Sequence, residues 1–378
     1  MKILIAPDKF KGSLTAREVC NTIQQALQAC DSAFSIDTLP LADGGEGTGA
    51  LLTEFTHGNN VRTVVHDPLF RAIEASYGIS KDGTTAFIEM AKASGLQLLA
   101  AHEQNPLMTT SLGTGDLIRH ALDHHVKTII LGIGGSATND AGLGIGKALG
   151  LTFYSAQQHE LNPVGSSLIH VHRIDVDNLH PRCREVELII LCDVDNPLYG
   201  PRGAAVVYAP QKGANEETVK LLDAGLAHIA SVLRKTFHLD VDFPGAGAAG
   251  GVSVMLKLIM KADVQPGMTF ISAFTSLEKR IASADVIITG EGKMDDQTLS
   301  GKVVQGVAAI GRKHKKKVIA IAGQCDLTAE QLQRIGIDHA IVLEDEATSR
   351  KRAMEHAAEI LGEKVRKRLF PLLHQDKK

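Results

Sequence analysis

The chain has 378 residues, 44% of them hydrophobic and 22% charged, with a formal net charge of −3. That length predicts two domains rather than one core. The near-neutral charge, without a long basic run, argues against a nucleic-acid or membrane-surface partner, since either needs a concentrated positive face.

In chain order, residues 3–6 (Ile-Leu-Ile-Ala) read as a buried parallel strand. They are too short an apolar run for a signal peptide or a membrane span. Thr15 and Glu18 have capping-box spacing, and Val19, Ile23, Leu27 and Cys30 stripe the helix that follows. Residues 34–41 read as a strand and 46–55 as a helix, a βαβα start that implies a parallel sheet between helices. Strands at 61–65, 72–79 and 85–90, joined by short turns, read as an antiparallel meander. A helix at 114–125 precedes a strand at 128–131. Further strands are read at 188–191 and 205–208, and Val219, Leu222, Leu226, Ile229 and Leu233 stripe a helix. The opening rhythm then returns: strands at 286–288, 318–322 and 340–343 alternate with helices at 302–314, 328–335 and 350–370. The fold class expected is α/β with two domains. Both chain ends, 1–61 and 281–378, form a parallel Rossmann/flavodoxin-like domain, and a mixed α/β domain, 62–280, is inserted.

In parallel sheets ligands bind outside the carboxyl ends of the strands, so the strand-end loops are where chemistry is expected. The first, 7–13, sets Asp8, Lys9, Lys11 and Ser13 before a helix N-terminus, a natural anion site. The second, 42–48, spaces Asp43 and Glu46 by two glycines, which suits a hard cation such as Mg²⁺. The third, 132–140, carries Gly134, Gly135, Ser136, Thr138 and Asn139, backbone and hydroxyl donors able to cradle phosphate. Its Gly132, Gly134 and Ala137 match GxGxxA, but the acid expected about twenty residues later in a dinucleotide site is missing. Later loops hold Asp193 and Asn196, then Lys212, then the glycine run 245–251. The loop 289–302 spaces Glu291, Asp295 and Asp296 with glycines, beside Lys293 and Lys302, and the last, 323–326, carries little signal. Lysines for phosphate oxygens and acids for Mg²⁺ are what phosphoryl transfer requires. The Walker pattern, HExxH and GxSxG are all absent. The five cysteines form no CxxC pair and are odd in number, which suits a reducing cytoplasm and neither a disulfide framework nor a structural zinc site.

Nine segments in order resemble the bacterial glycerate kinases of the glycerate 2-kinase type: IAPDKFKGSLTA (5–16), PLADGGEGT (40–48), AFIEMA (86–91), SLGTGDLI (111–118), LGIGGSATND (131–140), CDVDNPL (192–198), APQKGA (209–214), GAGAAGG (245–251) and ITGEGKMDDQT (288–298). The chain departs from that pattern at Lys9, where Ser is frequent, at Ala141, where Gly is common, and at Gln324, where Ser is frequent. The resemblance implies an enzyme that transfers the γ-phosphoryl group of ATP to D-glycerate, giving 2-phosphoglycerate, with Mg²⁺ as cofactor.

Under that resemblance the active site lies in the cleft between the two domains. Lys11 and Ser13 hold the glycerate carboxylate, with Asp43 and Asn196 also at the substrate. Asp43, Glu46, Glu291 and Asp295 form the Mg²⁺ set. Gly134, Gly135, Ser136, Thr138 and Asn139 cradle phosphates, and Lys212 or Lys302 neutralises the transferring group. Asp193 or Asp8 orients or deprotonates the hydroxyl, with Lys11 beside the reaction. Glycerate and ATP are the partners, and the sequence leaves a homo-oligomer open. The rivals are a nicotinamide-dependent dehydrogenase, prompted by Gly132-Ile133-Gly134, and a two-lobed solute-binding protein.

Overall fold

The computed structural model describes residues 1–296, 298–300, 302–344 and 350–374. Gln297 and Gly301, both in the predicted loop 289–302, lie outside the described residues. Two compact units result: Met1–Asp43 with Met268–Lys378, and Gly44–Gly267. The strands in chain order are β1 (Lys2–Ile5), β2 (Ser35–Thr38), β3 (Asn59–His66), β4 (Ala72–Ile79), β5 (Thr85–Glu89), β6 (Thr128–Gly132), β7 (Thr152–Tyr154), β8 (Arg173–Asp175), β9 (Glu187–Leu191), β10 (Asp263–Gln265), β11 (Val286–Met294), β12 (Lys317–Cys325) and β13 (His339–Val342).

The first unit is a five-stranded, wholly parallel sheet in the order β13-β12-β11-β1-β2. The opening apolar run is an interior strand, between β11 and β2: Ile3, Leu4, Ile5 and Ala6 are buried on both faces, as a strand covered by helices requires. Ile3 stands opposite Val286 on one side and Ile36 on the other, so the two chain ends share one sheet. The helix Ala16–Cys30 starts at the predicted capping box. Thr15 Oγ1 accepts from the Glu18 N–H at 3.2 Å, and the Glu18 carboxylate accepts from the Thr15 N–H at 2.8 Å. It buries Val19, Ile23 and Leu27 in the core beneath the sheet. From β1 the chain moves outward to β2, and from β11 it moves the other way to β12 and β13. The strand order therefore reverses between β1 and β11, which is where a doubly wound sheet opens a crevice at its carboxyl edge.

The second unit carries a six-stranded mixed sheet, β10-β9-β6-β5-β4-β3. β3, β4 and β5 form the antiparallel meander, and β5, β6, β9 and β10 run parallel. The carboxyl ends of neighbouring strands align, with Glu89 opposite Gly132 and Gly132 opposite Leu191.

Five segments correct the sequence reading. Residues 205–208 belong to the helix Ala204–Tyr208 rather than a strand. Val206 and Val207 are 41% and 44% exposed there, so this short apolar run never enters the sheet. The helix expected from 46 starts at Thr48, because Gly47 takes a left-handed φ of 93° and the helix forms only after it. The terminal helix is interrupted: Arg350–Glu355 and Ala357–Lys364 lead to a π-helical turn, Val365–Leu369, and then Phe370–His374. The small β7–β8 hairpin and the three-residue β10 are too short to leave a pattern in sequence. Among the described residues no helix is long and apolar enough to cross a membrane.

Candidate functional site

The chain crosses from β1 into the loop Pro7–Gly12 while still following β11. Ala6 N–H donates to Ile288 O at 2.7 Å, and Asp8 N–H donates to Gly290 O at 2.8 Å. Further along, a Cβ at Gly292 would lie 2.8 Å from Lys11 N, so only glycine lets these two backbones pass. This contact places Asp8, Asp43 and Glu291 within electrostatic reach of one another at the point where the strand order reverses. Burial, and then the Asp43 charge, push the Asp8 carboxyl up to about 7, although the Lys9 N–H donates to its Oδ1 at 2.7 Å. Burial also raises Glu291, with Asp295 and Asp43 adding to it, while the Thr298 hydroxyl bond at 2.6 Å and the Lys302 charge oppose the rise. Thr298 ties the loop together, because its Oγ1 also accepts from the Asp295 N–H at 3.0 Å. Lys302 stands just before the helix Val303–Lys313. Lys293 pairs with Asp326 at 2.7 Å and with Asp295 at 3.5 Å.

Beside this acid group is a cavity of about 360 Å³, whose lining includes Lys11, Ser13, Gly292, Lys293 and Gln324 with apolar Phe10, Leu343 and Met354. A volume of this order suits a small-molecule ligand. Ser13 Oγ donates to Phe10 O at 3.0 Å, which fixes the turn carrying Lys11.

In the second unit, loop 132–140 follows β6 as expected. Gly134 and Gly135 are exposed, whereas Ser136, Thr138 and Asn139 are buried. Lys212 reaches in from the turn Pro210–Lys212, donating to Ser136 Oγ at 2.9 Å and to Thr138 O at 2.6 Å. Burial pulls its pKa down to about 8, against the Asp140 charge. Thr138 Oγ1 and both ends of the Asn139 amide are buried without a hydrogen-bond partner, polar groups that a bound anion or water would satisfy. Ala141 takes a φ of 51°, the left-handed region that favours glycine, so the glycine common in the family suits this backbone and nothing in the structure explains the alanine.

The remaining predicted residues are also placed. Asp193 is exposed, with Oδ1 accepting from the Gly267 N–H at 2.8 Å. Glu46 is exposed. Asn196 is engaged at both ends, donating to Arg202 O at 2.8 Å and accepting from the Tyr208 hydroxyl at 2.6 Å. Among the described residues no three of His, Cys, Asp and Glu form a ready-made metal cage.

A family model described as the glycerate kinase family matches residues 3–372. The chain belongs to that family. It is 44% identical over 339 residues to the glycerate 2-kinase of Escherichia coli K12, covering 89% of each chain. It is 41% identical to the glycerate kinase of Bacillus subtilis, covering 97% of this chain and 96% of the relative. A crystal structure described as a putative glycerate kinase 2 from Salmonella typhimurium LT2 superposes with a TM-score of 0.89 at 41% identity, covering both chains completely. Membership of a kinase family accords with phosphoryl transfer and not with a nicotinamide-dependent dehydrogenase.

Two residues escaped the sequence reading. Glu89 ends β5 as a buried carboxylate, accepting from Gly47 N–H at 3.0 Å and Gly49 N–H at 2.7 Å. Asp140, wholly buried, accepts from Ser111 N–H and Oγ–H, both at 2.8 Å, and from Gly142 and Gly144 N–H at 3.1 and 3.2 Å. Burial raises its pKa nonetheless. Its place after Asn139 in the glycine loop was the one available signal. Glu89 had none beyond standing at a strand end.

Proposed function

We propose that this chain transfers the γ-phosphoryl group of ATP to the 2-hydroxyl of D-glycerate in the cytoplasm. The observation that carries the reading is the Asp8, Asp43 and Glu291 group at the reversal point of the parallel sheet, beside a cavity lined by Lys11 and Ser13. The names of the relatives support the acceptor, and the E. coli name supports the 2-position.

Mg²⁺ fits these residues. Their mutual repulsion is what a divalent cation relieves, and Mg²⁺ commonly takes one or two carboxylates, completing its shell with phosphate oxygens and water rather than an all-protein cage. Asp43 and Glu291 would hold it, and when bound it neutralises charge on the transferring phosphoryl group. Lys11 and the turn at Ser13 hold the glycerate carboxylate. Asp8 takes the hydroxyl proton, because its pKa of about 7 suits a base at neutral pH better than the exposed, backbone-tied Asp193. Gly134, Gly135 and Ser136 with Lys212 bind phosphate oxygens, and Lys302 adds positive charge near Glu291. The cytoplasmic setting is supported by five free cysteines and by the need for ATP.

Phosphorus NMR of the product from ATP, Mg²⁺ and D-glycerate tests this. A resonance of 2-phosphoglycerate is expected. Formation of 3-phosphoglycerate would overturn the 2-position, and absence of any phosphoester would overturn the activity.

A further inference from the structure

Two glycine loops in the second unit lie backbone to backbone. A Cβ at Gly132 would come 2.9 Å from Gly44 O, and one at Gly134 would come 3.4 Å from Gly45 Cα. The segment 44–49, which carries Glu46, is therefore stacked on the glycine loop that follows β6. One side chain fastens it there. Glu89 Oε1 takes both the Gly47 and Gly49 N–H groups, at 3.0 and 2.7 Å, from a site that is 6% exposed. Glu89 is itself fixed in the sheet, opposite Gly132. Its strand partner and its hydrogen-bond partners thus belong to the two loops that are in contact.

We infer that Glu89 is a positioning residue for phosphoryl transfer: it clamps loop 44–49 to the phosphate-cradling loop. The inference rests on the kinase reading of those loops. Glu89 touches no substrate in this account and acts through the backbone of Gly47 and Gly49. Gly49 marks the same contact from the other side, since a Cβ there would lie 3.2 Å from Glu89 Cγ and 3.2 Å from Oε1. The second oxygen, Oε2, is buried and has no hydrogen-bond partner, so only one oxygen serves the clamp.

That asymmetry provides the test. In E89Q the amide oxygen keeps both bonds, while a buried NH₂ lowers stability. In E89A both bonds go. On folded protein, E89A is expected to lose about 10²-fold in kcat, the scale of an ångström-sized misplacement, and to raise the KM for Mg·ATP. E89Q keeps most of the rate despite its lower melting temperature. Hydrogen exchange at the Gly47 and Gly49 amides speeds up in E89A and not in E89Q. If E89A fails to fold, G49A reads the same contact: alanine is otherwise the better helix former, and a several-fold loss of kcat is expected nonetheless. Wild-type rates in E89A or in G49A, or an E89Q as slow as E89A, would overturn the clamp. A wild-type protein that does not phosphorylate glycerate would instead overturn the kinase reading, and the clamp's role in catalysis with it.

Discussion

The Lys212 ammonium lies 2.9 Å from the Ser136 hydroxyl, an ionisable group buried beneath the glycine loop and joined to it across 76 positions of sequence. Its pKa of about 8 makes it a titrating group near physiological pH. The folded value lies below the ordinary 10.5, so between them the unfolded chain binds more protons and this group makes stability rise with pH. Activity moves the other way, because neutral Lys212 no longer attracts phosphate. Comparing wild type with K212M, kcat/KM should fall as pH passes about 8 while the stability difference shifts in favour of wild type. K212R, which stays charged, should lose the alkaline limb. A wild-type profile that matches K212M in shape would count against the role.

Asp8 has the opposite sign. Its folded pKa of about 7 lies above the ordinary 3.8, so the folded state binds more protons in that window and stability from this group declines as pH rises through it. D8N should therefore melt at a higher temperature than wild type above neutral pH, while losing ~10²–10⁴-fold in kcat as a proton acceptor is removed. D43N takes away the second cause of the shift, so the acid limb of the wild-type profile should move to lower pH in that variant. Melting curves across pH together with initial rates check both. A D8N enzyme at wild-type rate would exclude Asp8 as the base.

Asp140 accepts four hydrogen bonds that tie the starts of two helices, Leu112–Asp123 and Leu143–Ala148, to the glycine loop. Removing it strands those buried donors. D140A should lower unfolding free energy by about 3–5 kcal/mol, measured in urea. A loss below about 1 kcal/mol would mean that water takes over the contacts.

Gly132 tests the stacking of the two glycine loops independently of any acid. G132A puts a methyl 2.9 Å from the Gly44 carbonyl and must part the loops. A drop of about 10²-fold in kcat is expected, with little change in far-UV circular dichroism. Normal turnover in G132A would show that the two backbones need not stay in contact.

Much of this arrangement was legible in the chain because it follows local rules. The Thr15–Glu18 box, the apolar run at 3–6 and the returning βα rhythm after 285 each announce an element through spacing alone. The strand-end loops were legible for the same reason, since glycines between acids and hydroxyls have few structural explanations. Glu89 was not. A glutamate at the end of a strand looks like any solvent-facing residue until the fold brings the Gly47 and Gly49 amides to it from 42 and 40 positions away. Asn196 was legible only in part. Its strand-end position is readable from sequence, but that Arg202 and Tyr208 hold both ends of its amide is not. The apolar stretch at 205–208 misled because four residues carry too little periodicity to separate a strand from one turn of helix.

The pairing of Ile3 with Val286 also sets a timetable for synthesis. The ribosome delivers the partner of Ile3 283 residues after Ile3 itself, a delay of roughly 15–60 s at ordinary elongation rates. Throughout that interval the second unit, whose strands all come from its own continuous stretch of chain, is free to fold. The first strand, Ile-Leu-Ile-Ala, can meanwhile pair only with β2 on one edge, and its other edge stays open. Such an edge is an aggregation hazard until it is covered. Truncation between Gly267 and β11 should thus yield a nascent chain with a folded middle and an exposed beginning, the kind of client that chaperones retain.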